Sequence, residues 1–171
     1  MQLIRKGEFV ADNFRAPADD EALGGGPVIV SLERWKKERE TLLARNTPIG
    51  VRLKSGEHPE AIAGDLDRLA LVALEFPVYR NGRAYSYARL LRERYGYQGE
   101  VRAVGAVLRD QFYFLVRCGF DALEVRDNIT PEIFRESVGT FTYDYQPASD
   151  ERPSVISLRQ RLAGGTTRKT G

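Results

Sequence analysis

At 171 residues, with 42% hydrophobic side chains, the chain has the size and apolar content of one globular domain with a buried core. A formal net charge of +2 gives no overall electrostatic drive toward nucleic acid or a membrane surface, so any anion site has to be local. One cysteine, Cys118, and one histidine, His58, exclude a disulfide framework and argue against any protein-only zinc site or iron–sulfur cluster with several thiolate ligands.

The elements in chain order divide the sequence into residues 1–26, 27–146 and 147–171. "QLIRKGEFVADNF" reads as a β-hairpin around an Arg5-Lys6-Gly7 turn, and "RAPADDEALGGGP" as a polar linker. "PVIVS" is a buried strand whose Ser31 caps a helix from about Leu32 to Arg45. Strand "IGVRL" leads to a short helix near Pro59–Leu66. "LALVALEF" is nearly continuous in apolar residues, as a central parallel strand requires. Strand "EVRAVG" precedes a helix from about Leu108 to Cys118. Strand "DALEV" precedes a helix capped by Thr130 and started by Pro131.

Five strand–helix units in succession predict an α/β domain on a parallel sheet, either open and doubly wound or curled like half of a strand–helix barrel. Beyond "TFTYDYQPASDERP" the pattern decays into a flexible tail, with "SVISLRQRLAG" read as a surface appendage at helical spacing. No apolar run approaches the roughly 20 residues of a membrane span. Met1–Ala11 has no apolar signal core, so a cytoplasmic protein is expected.

In parallel α/β folds ligands gather at the C-terminal ends of the strands. The exits carry Ser31, Lys54, the run from Tyr79 to Arg83, then Arg109-Asp110-Gln111, then Arg126-Asp127. Cations therefore converge on one edge. The guanidinium fork suits oxyanions, and Ser86 adds a hydroxyl near a helix start, so Arg83, Ser86 and Arg109 form the candidate anion site. The competing reading is a rim of arginines paired with Asp110, Asp127 and Glu100. Asp110 and Gln111 are the candidates for general acid–base work, by their position at a strand exit.

The stretch Phe76–Arg102 holds six arginines and five tyrosines against two acids. On its helix Tyr87, Leu90, Leu91 and Tyr95 form an apolar stripe, which leaves Arg89 and Arg92 to project outward as a candidate partner surface. No RNA-recognition signature accompanies them, and nucleic acid is not expected. "LGGGP" precedes a strand instead of following one, so it is no phosphate-cradling loop. His58 reads as an inert loop residue and Cys118 as a buried, unreactive thiol. Arg102, inside "EVRAVG", is expected to be structural and paired with Glu100 or Glu75.

"ALEFPVYRNGRAYSYARLLRERYGYQGEVRAVGAVLRDQ" followed by "RCGFDALEV" closely resembles the bacterial family called domain of unknown function 934, over about Ile49 to Val125. Arg83, Ser86, Arg89, Arg92, Arg109, Asp110 and Gln111 all fall in the matching blocks; where many members carry Asp before Gly-Arg, this chain has Asn81. The resemblance implies a role as an oxidoreductase or accessory protein of assimilatory sulfite reduction. Sulfite reductase or its electron donor would then be a partner, and a sulfite- or sulfate-like oxyanion the ligand. Six-electron sulfite reduction in known enzymes uses siroheme and an iron–sulfur cluster, and one cysteine cannot ligate that cluster. The chain is therefore not a reductase by itself, and any redox chemistry would use a borrowed cofactor of unspecified kind. The alternative is a non-catalytic scaffold docking on the reductase or another acidic partner.

Overall fold

The computed structural model describes residues 1–78, 81–126 and 128–139. Tyr79, Arg80, Asp127 and the "SVISLRQRLAG" segment lie outside the described residues. The strands are β1 (Gln2–Arg5), β2 (Glu8–Val10), β3 (Val28–Ser31), β4 (Ile49–Leu53), β5 (Leu71–Phe76), β6 (Glu100–Gly105) and β7 (Ala122–Val125). The α-helices are α1 (Leu32–Leu43), α2 (Arg83–Arg89), α3 (Phe112–Arg117) and α4 (Pro131–Gly139). A 3-10 segment spans Pro59–Arg68, a second one Arg109–Gln111, and a π-helical turn over Leu90–Arg94 extends α2.

The sheet order is β2-β1-β7-β6-β5-β4-β3. Strands β3 to β7 are parallel and lie side by side in sequence order, while the hairpin adds to β7 antiparallel through pairs such as Ile4↔Leu123. Lys6 and Gly7 both take positive φ, 50° and 87°, as a two-residue hairpin turn demands. Ser31 caps α1 by accepting from Arg34 N–H at 3.0 Å, and Thr130 Oγ1 accepts from Ile133 N–H at 3.4 Å. Both caps agree with the sequence.

Alternation along the strands decides which face each residue serves. Val28, Val30, Val51, Leu53, Val72, Leu74, Val101, Ala103 and Leu123 share one face and one core with Trp35 and Leu42 of α1, Ile62 and Leu66, Ala84 and Ala88 of α2, Phe112 and Leu115 of α3, and Phe134 of α4. All the helices therefore cover the same face. Sequential strand order with uniformly handed crossovers produces this one-sided layer. A doubly wound sheet would split the helices between faces, so the arrangement is that of half a strand–helix barrel. Each aliphatic side chain buried there contributes about 1.5–3 kcal/mol.

The opposite, helix-free face carries Ile29, Leu71, Ala73 and Val104, against which Phe14 packs. Beside this small apolar cluster sit charged residues of the same alternation: Arg52, Glu75, Glu100, Arg102, Glu124 and Arg5. The segment after β2, expected as a linker, is a strap lying on this face. Arg15 bridges to Val28, Pro17 is buried, and Ala18 O accepts from the buried Arg34 at 2.7 Å. Its polar composition had suggested a linker, but backbone pairing to the β3 edge and one aromatic ring suffice to dock it. Among the described residues no helix is long and apolar enough to cross a membrane.

Candidate functional site

The C-terminal edge of the parallel strands is built by the loops leaving β4, β5 and β6. Asn81 Nδ2 donates to Ser55 Oγ at 2.9 Å, which joins the β5 exit to the β4 exit. Asn81 Oδ1 in turn accepts from the Arg83 N–H at 3.2 Å, and the Tyr87 hydroxyl reaches Ser55 O at 3.5 Å. His58 stands edge-on to the Tyr87 ring, 5.4 Å between centroids, and its Nδ1 accepts from Glu60 N–H. Histidine here is a capping residue, in line with the reading of an inert loop position. Between β5 and β6 the backbones nearly touch. Ala106 N–H donates to Phe76 O at 2.7 Å, and Gly105 takes φ 91° where a Cβ would fall 2.7 Å from the same oxygen. Only glycine fits that junction.

Arg83 and Ser86 are exposed on the first turns of α2. The Arg83 guanidinium makes no hydrogen bond or ion pair among the described residues, whereas its neighbours in the arginine-rich stretch are engaged: Arg89 with Glu93 at 3.0 Å, Arg94 over the Tyr95 ring, Arg102 with carboxylates. Arg109 turns to α4 instead, with Nε donating to Ser137 Oγ at 3.0 Å and Nη2 3.2 Å from Glu136. Among the described residues no hydrogen bond joins Arg83, Ser86 and Arg109 to one another. Asp110 is exposed beside Arg109. Gln111 is spoken for: its Oε1 accepts from Leu108 N–H at 2.9 Å, and its amide donates to the Tyr85 hydroxyl. Tyr85 is half-buried and burial pushes its phenol pKa up, which keeps the hydroxyl protonated.

Arg92 requires a correction. It does not project outward but turns into the fold, its side chain 17% exposed. Nε donates to Gly119 O at 3.0 Å and Nη1 to Tyr97 O and Gly99 O at 2.5 and 2.9 Å, while Nη2 pairs with Asp121. Asp121 also accepts from Val101 N–H at 2.8 Å. Arg92 thereby ties together the starts of β6 and β7, the opposite edge from Arg83. Stripe arithmetic assumed 3.6 residues per turn, and the π-helical turn, closed by Tyr95 N–H to Leu90 O at 3.1 Å, breaks that phase. Arg89 keeps its outward position, 54% exposed. Toward the same N-terminal edge lies an apolar cleft of about 440 Å³ lined by Ile4, Val116, Phe120, Leu123, Phe134 and Val138, away from the strand exits.

A family profile described as "Bacterial protein of unknown function (DUF934)" matches residues 50–156. The chain belongs to this family. The DUF934 match begins at Gly50 of β4 and takes in β5, β6 and β7 with α2, α3 and α4, so it contains both the Arg83 exit and the Arg92 clamp. The hairpin, the strap, β3 and α1 lie outside it. Among curated proteins none matches. Ser55 and Tyr85 are the site residues that sequence reasoning passed over. Ser55 lies in a polar turn like many others, and Tyr85 was one of several tyrosines whose facing depends on where α2 starts.

Proposed function

We propose that this DUF934 member is an accessory protein of assimilatory sulfite reduction that holds a small oxyanion at the β5 exit with Arg83 and Ser86. The observation that carries the reading is the exposed guanidinium of Arg83, without an ion-pair partner among the described residues, at the exit of the middle one of five parallel strands. A free fork offers two parallel N–H donors to a tetrahedral or trigonal oxyanion, and the Ser86 hydroxyl, one helical turn on, adds another. Arg109 is 50% exposed and its Glu136 partner 71%, so that pair is weakly held and can yield to an incoming anion. The sulfur-oxyanion assignment and the link to sulfite reduction rest on the family resemblance.

Binding is favoured over catalysis because Gln111 is occupied on both its polar ends and Asp110 is exposed. The test is a thermal-shift titration with sulfite and sulfate at constant ionic strength. Wild-type protein should gain stability with the oxyanion and Arg83→Ala should lose most of that gain. An equal gain in both proteins overturns the site. Docking on the reductase is the second reading, favoured by the outward Arg89 and Arg94 on one helix. A pull-down with the reductase, with an absorption spectrum of the eluate, tests it and also reports any bound chromophore.

A further inference from the structure

On the helix-free face, far from the strand exits in its chemistry, Arg102 of β6 is fully buried. Its donors are used unevenly. Nε donates to Glu100 at 2.8 Å and Nη1 to Asp12 at 2.7 Å, while Nη2 has no hydrogen-bond partner among the described residues. A guanidinium end is built for two parallel bonds to one oxyanion, and Asp12 fills only one of them. Leaving a buried charged donor unpaired is costly, so Nη2 marks a place for an acceptor that the described residues do not supply.

The carboxylates around Arg102 differ in how they are held. Glu100 lies on β6, Glu124 on β7 at 4.0 Å from Nη1, and Glu75 on β5, where it pairs with Arg52 at 3.1 Å. Glu100 is also 2.7 Å from Arg5. Sheet backbone fixes all three. Asp12 alone comes from the strap, a third of its side chain is exposed, and two residues on the Phe14 ring lies over the guanidinium at 5.6 Å. The strap thus brings an internal carboxylate and an aromatic cover to the same group.

We propose that the Arg102 fork is a binding site for a small oxyanion, with Asp12 as its resident internal occupant and the Asp12–Phe14 turn as its displaceable cover. A diffusible carboxylate replacing Asp12 keeps one negative charge beside the guanidinium and adds a bond at Nη2, and a sulfate-like dianion does the same with one negative charge more. This site is separate from Arg83 and does not depend on it.

The experiment is run in an Arg83→Ala background so that the strand-exit site is silent. Thermal shifts are measured against sodium sulfate and sodium acetate, with sodium chloride matching ionic strength. Adding Asp12→Ala should give a saturable rise of several degrees with either oxyanion, larger than in Arg83→Ala alone, where the ligand must displace Asp12. Further addition of Arg102→Met should abolish the rise. No larger rise on removing Asp12, or a rise that survives Arg102→Met, overturns the proposal. Should the Arg102 variant not fold, crystals of the Asp12→Ala, Arg83→Ala protein soaked in selenate decide it by anomalous scattering. A selenium peak within hydrogen-bond distance of Arg102 Nη2 supports the site, and its absence there rejects it.

Discussion

Asp12 and Arg102 are 90 positions apart in the chain and meet at 2.7 Å, an ion pair added to the backbone pairing and the Phe14 ring that hold the N-terminal strap on the sheet. Arg102 is 0% exposed, and the same guanidinium holds Glu100 at 2.8 Å. Removing the cation leaves Glu100, fixed on β6 and 14% exposed, with Arg5 alone beside it and takes the partner from Asp12 of the strap. Arg102→Met should lower unfolding free energy by about 3 kcal/mol. Adding Asp12→Asn and Glu100→Gln should recover part of the loss, because the stranded charges go with them. Urea denaturation of the three proteins checks both steps, and a fully stable Arg102→Met would show that the buried cation is dispensable.

Arg92 makes a different kind of contact, three backbone carbonyls and one carboxylate at the N-terminal strand edge. Carbonyls cannot be re-satisfied by an apolar side chain. Arg92→Met should cost about 2 kcal/mol. It should leave oxyanion protection intact, since Arg83 lies at the other edge. Loss of protection at unchanged stability would contradict a purely structural role.

Glu124 gives a pH signature. Burial raises its pKa above the ordinary 4.5, with the Arg102 charge opposing and the Asp12 charge adding to the rise. Between the ordinary and the raised value the folded state holds more proton than the unfolded one. Its contribution to stability is therefore greatest below that window and is lost as pH rises through it. Glu124→Gln cannot titrate. The stability difference, variant minus wild type, should climb from about pH 4 upward and level off above the raised value. Denaturant midpoints at a series of pH values measure it, and a difference that falls with pH would reverse the assignment.

Gly105 closes the junction between the β5 and β6 exits, with φ 91° and no room for a Cβ before Phe76 O. Gly105→Ala should destabilise by at least about 2 kcal/mol, from the positive φ together with the displaced carbonyl. Because the carbonyl that must move belongs to the residue leading into the Arg83 loop, oxyanion protection should weaken along with stability. The thermal-shift titration reads both quantities from one set of melts.

Arg83 and Arg89 should separate binding from docking. Arg83→Ala should reduce sulfite or sulfate protection and leave reductase pull-down unchanged, whereas Arg89→Glu should do the reverse and make the remaining interaction more salt-sensitive. Equal loss of both activities in both variants, at unchanged stability, would mean one undivided surface.

Much of the scaffold was legible because local rules sufficed. Runs such as "LALVALEF" can satisfy themselves only as buried strand, Lys6-Gly7 between apolar segments makes a hairpin turn, and Ser31 and Thr130 cap helices through bonds to residues three positions on. The charge inside "EVRAVG" announced a buried, paired Arg102, and Glu100 proved a partner while Glu75 went to Arg52. The same residues could not say that Asp12 would be the other partner, since nothing local links positions 90 apart. Nor could spacing foresee that the expected exit arginines part company, with Arg109 pairing to α4 and Arg83 unpaired among the described residues.

By itself the sequence determined the main strands and helices, their order and the burial of the parallel strands, because periodicity and capping act over a few residues and need no distant partner. Tertiary structure decided three things: that all described helices take one face, that the strap covers the other, and that Arg92 turns inward while Arg83 finds no ion-pair partner among the described residues. The physical reason is reach. An arginine side chain spans several ångströms and settles on whichever carboxylates and carbonyls the closed sheet presents, and those are set by strand neighbours that the chain order alone does not specify.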